Sequence, residues 1–108
     1  MYDYKVLEVL KVVDGDTVDL KIDVGFYQTS ALRFRLLNVD TPERGQVGWT
    51  ECTEFVREWL VGRKLVARTQ KSDSFGRWLV WLYDADTRAD LSQDVYAFMV
   101  ANEYLKQN

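Results

Sequence analysis

The sequence predicts a mainly β, α+β domain in which five strands and two helices follow the order β-β-β-α-β-β-α. Three observations predict it. The first forty residues hold three apolar runs rich in β-branched side chains and divided by turn signals. Two later segments set their apolar residues at helical spacing. With one proline and no serine- or glycine-rich tract in 108 residues, a single domain over residues 1–108 is expected, with no linker.

Strands are expected at residues 6–13, 17–24 and 32–39. Asp14-Gly15 is a tight-turn signal between the first two, and residues 25–30 are expected to form a longer loop before the third. Three consecutive strands joined in this way imply an antiparallel meander. A helix follows at residues 50–60, where Cys52, Phe55, Val56, Trp59 and Leu60 share one face and Glu51, Glu54, Arg57 and Glu58 lie outside it. Gly62 supplies the stop. Residues 65–69 and 78–83 read as two more strands, joined by the polar loop 71–76. The last helix is expected at residues 93–105, with Ser92 as N-cap and Val95, Phe98, Met99 and Asn102 on one face. This order fits a five-stranded, partly open OB-type barrel with a helix between strands three and four and a C-terminal helix.

Composition removes whole classes of chemistry. The chain has no histidine, which excludes Ser-His-Asp and Cys-His catalysis and conventional zinc sites. A metal here must sit on oxygen ligands, so a hard cation such as calcium, magnesium or manganese is indicated. The net charge of −3 and the pI near 4.9 have the wrong sign for holding nucleic acid by bulk electrostatics. The single cysteine, Cys52, falls on the apolar helix face and reads as a buried, inert thiol. No apolar run approaches the roughly 18 residues of a membrane span, and the start lacks a secretory pattern. A monomer without membrane contact is expected, cytosolic or already trimmed.

Four acids and two arginines invite a chemical reading, although each has an ordinary structural one. Asp14 and Asp16 stand on a turn, where Asx-turns are common. Asp40-Thr41-Pro42-Glu43 ends a strand with familiar turn formers, and Arg77 alone reads as a solvated charge. Arg35 is harder to dismiss, because a guanidinium among Phe34, Leu36 and Leu37 must find an anion or a carbonyl array.

In combination they are far more specific. Asp14-Gly15-Asp16-Thr17, then the run from Arg33 to Glu43, then Phe75-Gly76-Arg77 ahead of a strand, closely resembles the staphylococcal nuclease family, the thermonucleases. The resemblance runs from about Val6 to Tyr104 and implies the same OB-type fold. It further implies that Asp16 and Asp40 bind one calcium ion through carboxylates and Thr41 through its backbone carbonyl. Glu43 would activate or position the attacking water, while Arg35 and Arg77 would hold the phosphodiester and its transition state. The implied activity is calcium-dependent hydrolysis of single-stranded or flexible DNA, with RNA as a further substrate, leaving 3′-phosphate ends. The alternative is a non-catalytic nucleic-acid- or protein-binding module. The five site side chains are all present, which favours the enzyme.

Elsewhere the chain departs from the family pattern. A lysine-tyrosine pair that contacts a terminal phosphate is replaced by Ser74 and Phe75, which keep a donor and a ring but lose the charge and the hydroxyl. Phe75 and Tyr104 are the expected base-stacking residues, whereas Trp59, Trp78, Trp81 and Phe98 are expected in the core. Arg33, Arg63, Lys64, Arg68 and Lys71 are the candidates for a local basic track. The sequence ends soon after the second helix, where longer members continue into a third, so a smaller core and lower stability are expected.

Overall fold

A computed structural model describes residues 2–70 and 77–104. Its strands are β1 (Tyr2–Asp14), β2 (Thr17–Gly25), β3 (Gln28–Leu36), β4 (Leu65–Gln70) and β5 (Trp78–Asp84), and its helices are α1 (Trp49–Leu60) and α2 (Leu91–Ala101). The strands close into a barrel in the order β1-β2-β3-β5-β4, with α1 between β3 and β4. This is the OB-type architecture that the sequence predicts.

Closure depends on β1, which is long enough to serve two neighbours. Its first residues pair with β4, Tyr2 opposite Thr69 through Lys5 opposite Val66, and the remainder pairs with β2. Register shifts after Val6, Val9 and Val12 bend the strand as it passes from one partner to the other. The strand begins earlier than the expected Val6: residues 2–5 are mostly exposed but alternate tyrosine with charged residues, pair with β4, and pack Tyr4 against the core. The junction of β3 and β5 is parallel, with Phe34 opposite Trp78, Arg35 opposite Leu79 and Leu36 opposite Val80. A parallel pair needs a long crossover, which α1 and β4 provide.

Alternation then fills the barrel. Val18, Leu20 and Ile22 of β2, Phe34 and Leu36 of β3, Leu65 and Ala67 of β4, and Val80 and Leu82 of β5 point inward and are buried. Cys52, Val56, Trp59 and Leu60 of α1 join this core, while Phe55 stacks on Phe98 of α2 with ring centroids 4.5 Å apart. The Trp59 indole N–H donates to Asp94 at 2.8 Å and ties the two helices together. Burial pushes the Cys52 thiol up to about 11, as befits an inert core cysteine.

Several expectations are corrected. Residues 25–30 do not form a long loop. Phe26 and Tyr27 alone make the turn, with φ of 56° and 60°, and β3 begins at Gln28. Two aromatic residues in left-handed conformation give no sequence signal for such a turn, which ordinarily takes Asn-Gly. At its other end β3 stops at Leu36, so Leu37, Asn38 and Val39 leave the strand. Asn38 turns the chain with φ 63°, while the Leu37 amide still donates to the Val80 carbonyl at 2.9 Å.

In α2 the N-cap is Asp90 rather than Ser92: its carboxylate accepts the Ser92 amide at 2.8 Å, so the helix begins at Leu91. The helix ends at Ala101 rather than at residue 105. Glu103 takes φ 59°, and the amides of Tyr104 and Glu103 return to the carbonyls of Met99 and Val100. That is a Schellman stop with glutamate in the position glycine usually holds, and hence invisible to a search for glycine. Asn102 accordingly caps the helix rather than continuing its face. Trp78, expected in the core, is 41% exposed, because it opens β5 at the end of the barrel wall. Among the described residues no helix is long and apolar enough to cross a membrane.

Asp84 closes the inner face of β5 and is buried. Its carboxylate accepts the Thr87 and Asp86 amides at 3.0 and 2.8 Å and a guanidinium N–H of Arg63 at 2.9 Å. The two backbone donors first, and Arg63 after them, hold its carboxyl below the ordinary 3.8. A depressed folded value means that this contribution to stability is complete above about pH 4 and is lost as pH falls through the lower folded value. Thermal scans between pH 5 and pH 2 are expected to show a falling midpoint. Asp84→Asn should start lower and fall less steeply, and an unchanged slope would contradict this role for the carboxylate.

Candidate active site

The site forms where the β1–β2 turn, the end of β3 and the start of β5 meet. A cleft of about 250 Å³ is lined by Asp14, Asp16, Thr17, Arg35, Asp40, Thr41, Pro42, Glu43 and Arg77. Six residues singled out in the sequence, Asp16, Arg35, Asp40, Thr41, Glu43 and Arg77, therefore share one wall. They come from segments far apart in the chain.

Asp16 holds the cleft together. It is 9% exposed; one carboxylate oxygen accepts the Thr17 hydroxyl at 3.1 Å and the other accepts the Thr41 amide at 3.2 Å. Its own carbonyl accepts the Leu36 amide at 2.8 Å. The turn before β2 is thus bonded to both sides of the segment that follows Arg35. Gly15 permits this approach: a Cβ at that position would lie 2.9 Å from Thr41 Cγ2, 3.0 Å from Thr41 Oγ1 and 3.1 Å from Cys52 Cβ.

Arg35 stands between the two aspartates. One terminal nitrogen donates to the Leu36 carbonyl at 2.6 Å; the other lies 3.4 Å from Asp40 Oδ1 and 3.6 Å from Asp16 Oδ2. A guanidinium pinned in this way keeps its planar fork oriented at the cleft wall. Glu43 is exposed, and its loop is fixed by reciprocal contacts with Gln46, whose side-chain oxygen accepts the Glu43 amide at 2.8 Å. Arg77 is half-buried just before β5, and the parallel pairing of β5 with β3 brings it beside the strand that carries Arg35.

Some residues fall elsewhere. Tyr104 does not line the cleft; its ring packs beside Gly48 at the head of α1, with Phe98 at 6.0 Å. Ser74 and Phe75 lie outside the described residues, as does Lys71 of the expected basic track. The arginines of that track are matched by acids: Arg33 by Asp19, Arg68 by Asp3 and Arg63 by Asp84. Asp14 is an addition, because the Trp49 indole N–H donates to its carboxylate at 2.6 Å and holds it at the cleft. The turn motif contains Asp14, but nothing in the sequence links it to a tryptophan 35 residues away.

The donors suit a hard cation. Asp16, Asp40 and the Thr41 carbonyl offer oxygen donors, and Thr41 Oγ1 is buried with no hydrogen-bond partner among the described residues. Among the described residues no three acidic groups are close enough to cage an ion. A cation held here would have two carboxylates and would complete its shell with carbonyl and water oxygens.

No family model matches the chain. Curated relatives do at low identity. An uncharacterized endonuclease of Escherichia coli O157:H7 is 29% identical over 92 residues, covering 85% of this chain and 54% of its own length. Protein ParB of Escherichia coli is 28% identical over 96 residues, 86% of this chain and 51% of its own. A micrococcal nuclease of Shigella flexneri is 26% identical over 76 residues, 70% of this chain and 41% of its own. The chain spans about half the length of the curated relatives it matches. The names endonuclease and micrococcal nuclease place it near nuclease-like proteins.

The close approach at Gly15 gives a direct test of the cleft wall. Gly15→Ala should force Thr41 or α1 aside and lower unfolding free energy by about 1–3 kcal/mol, measured by urea titration. A variant as stable as wild type would show that Thr41 does not pack on this turn.

Proposed function

We propose that the chain is a calcium-dependent nuclease that hydrolyses phosphodiester bonds of single-stranded or flexible DNA, and of RNA. The observation that carries this reading is the meeting of Arg35, Arg77, Glu43, Asp16 and Asp40 at one cleft. The relatives named endonuclease and micrococcal nuclease support it.

Each residue has a role that its chemistry suits. Arg35 and Arg77 bind the non-bridging oxygens of the substrate phosphate and remain charged as negative charge builds on them. The carboxylate of Glu43 orients a water and accepts its proton as the oxygen bonds to phosphorus. The bond to the 5′-oxygen then breaks, the departing oxygen takes a proton from solvent, and the phosphate stays on the 3′ end. Asp16, Asp40 and the Thr41 carbonyl would hold one calcium ion, which when bound supplies positive charge for the phosphate oxygens. All these groups belong to one chain, so a monomer suffices.

Release of acid-soluble fragments from denatured DNA tests the activity. Wild type is expected to release them with calcium and not with chelator, and Arg35→Ala or Glu43→Ser should lower the rate by roughly 10²–10³. Equal rates in all three proteins, or none in wild type, would contradict the assignment. Calcium at a hundred times its Kd should also stabilise the native protein by about 2.7 kcal/mol. A melting temperature indifferent to calcium and chelator would remove the metal from the account.

A further inference from the structure

A second pocket of about 300 Å³ lies between the Leu37-Asn38 turn, the outer face of β5 and the first turns of α2. Its lining consists of Asn38, Trp81, Asp90, Ser92, Gln93 and Tyr96. The catalytic reading uses none of these residues.

Its chemistry is unlike that of the cleft. Trp81 and Tyr96 offer aromatic faces, one half-buried on the strand and one 52% exposed on the helix. Asn38 and Gln93 add two side-chain amides, each able to donate and accept. Asp90 adds a carboxylate fixed by its N-cap bond, and among the described residues no cation lines the pocket. Ser92 Oγ is buried there with no hydrogen-bond partner among the described residues. A lining with an acid and no cation disfavours a phosphate. Stacking faces beside amides suit a neutral planar ring with a polar edge. Asn38 is exposed and holds φ 63°, a left-handed conformation that asparagine tolerates.

We infer that this pocket is a nucleobase subsite, in which a base stacks against Trp81 and Tyr96 while Asn38 and Gln93 bond its edge. Asp90 can only accept hydrogen bonds, so the subsite favours bases that carry an exocyclic amino group, such as cytosine, over thymine. The inference rests on the nuclease reading and extends it to how the strand is held. Asn38 precedes Asp40 by two residues, a span of at most about 7 Å between their Cα atoms, so one edge of the subsite lies near the cleft that Asp40 lines.

Free nucleosides separate this subsite from catalysis, because they carry no phosphate and nothing to cleave. Titration of the isotope-labelled protein with 2′-deoxycytidine should shift the Trp81 indole N–H and the Asn38 and Gln93 side-chain amides. Thymidine should bind at least about fivefold more weakly. Tyr96→Ala should weaken 2′-deoxycytidine by about fivefold or more. Asp90→Asn, which retains a capping side chain, should abolish the preference between the two nucleosides. Shifts confined to the cleft, no shifts at all, or affinity unchanged in Tyr96→Ala would overturn the subsite even if DNA is still cut. Binding at these residues in a protein that cuts nothing would uphold the subsite and fail the nuclease reading instead.

Discussion

The carboxylate of Asp16 is the contact on which the site depends. It is a buried acid on a turn between two strands, and it bonds the Thr41 amide across 25 residues of chain. Without it, the segment after β3 has little reason to fold back over the β1–β2 turn. Asp40, Thr41, Pro42 and Glu43 would then have no fixed relation to Arg35. A buried carboxylate is costly unless charged and polar donors surround it, and Thr17, Thr41 and Arg35 supply them.

The same group therefore serves folding and chemistry. Arg35 lies between two acids in this arrangement, a guanidinium placed where two carboxylates would otherwise repel. The barrel supplies the second arginine by topology. The register of the parallel pair sets Trp78, the first residue of β5, opposite Phe34, so Arg77 enters beside the end of β3 that carries Arg35. The hydrogen bond from Trp49 to Asp14 and the approach of Gly15 to Thr41 brace the opposite wall. Away from the cleft, Arg33, Arg63 and Arg68 are each engaged by an aspartate.

Much of this was legible in the sequence, for physical reasons that differ by element. Alternation in β2 and the helical spacing of α1 reflect burial directly, so both were found within a residue of their bounds. Boundaries set by backbone geometry were not legible. Phe26 and Tyr27 occupy a turn that glycine and asparagine normally mark, and Glu103 ends α2 from the place of a glycine. For the site, residue types and order indicated which side chains should meet, and the fold brings six of them to one cleft. The displacement of Tyr104 into the contact with Gly48, and the role of Trp49, depend on packing between α1, α2 and the first turn, which no local pattern encodes.

Amide hydrogen exchange at Thr41 tests the central contact most directly. In the native protein the Thr41 amide should exchange as slowly as amides in the middle of β2. In Asp16→Ala it should lose most of that protection while the β2 amides keep theirs. Equal protection of Thr41 in both proteins would show that something other than Asp16 holds this segment, and the account of how the site is assembled would fail.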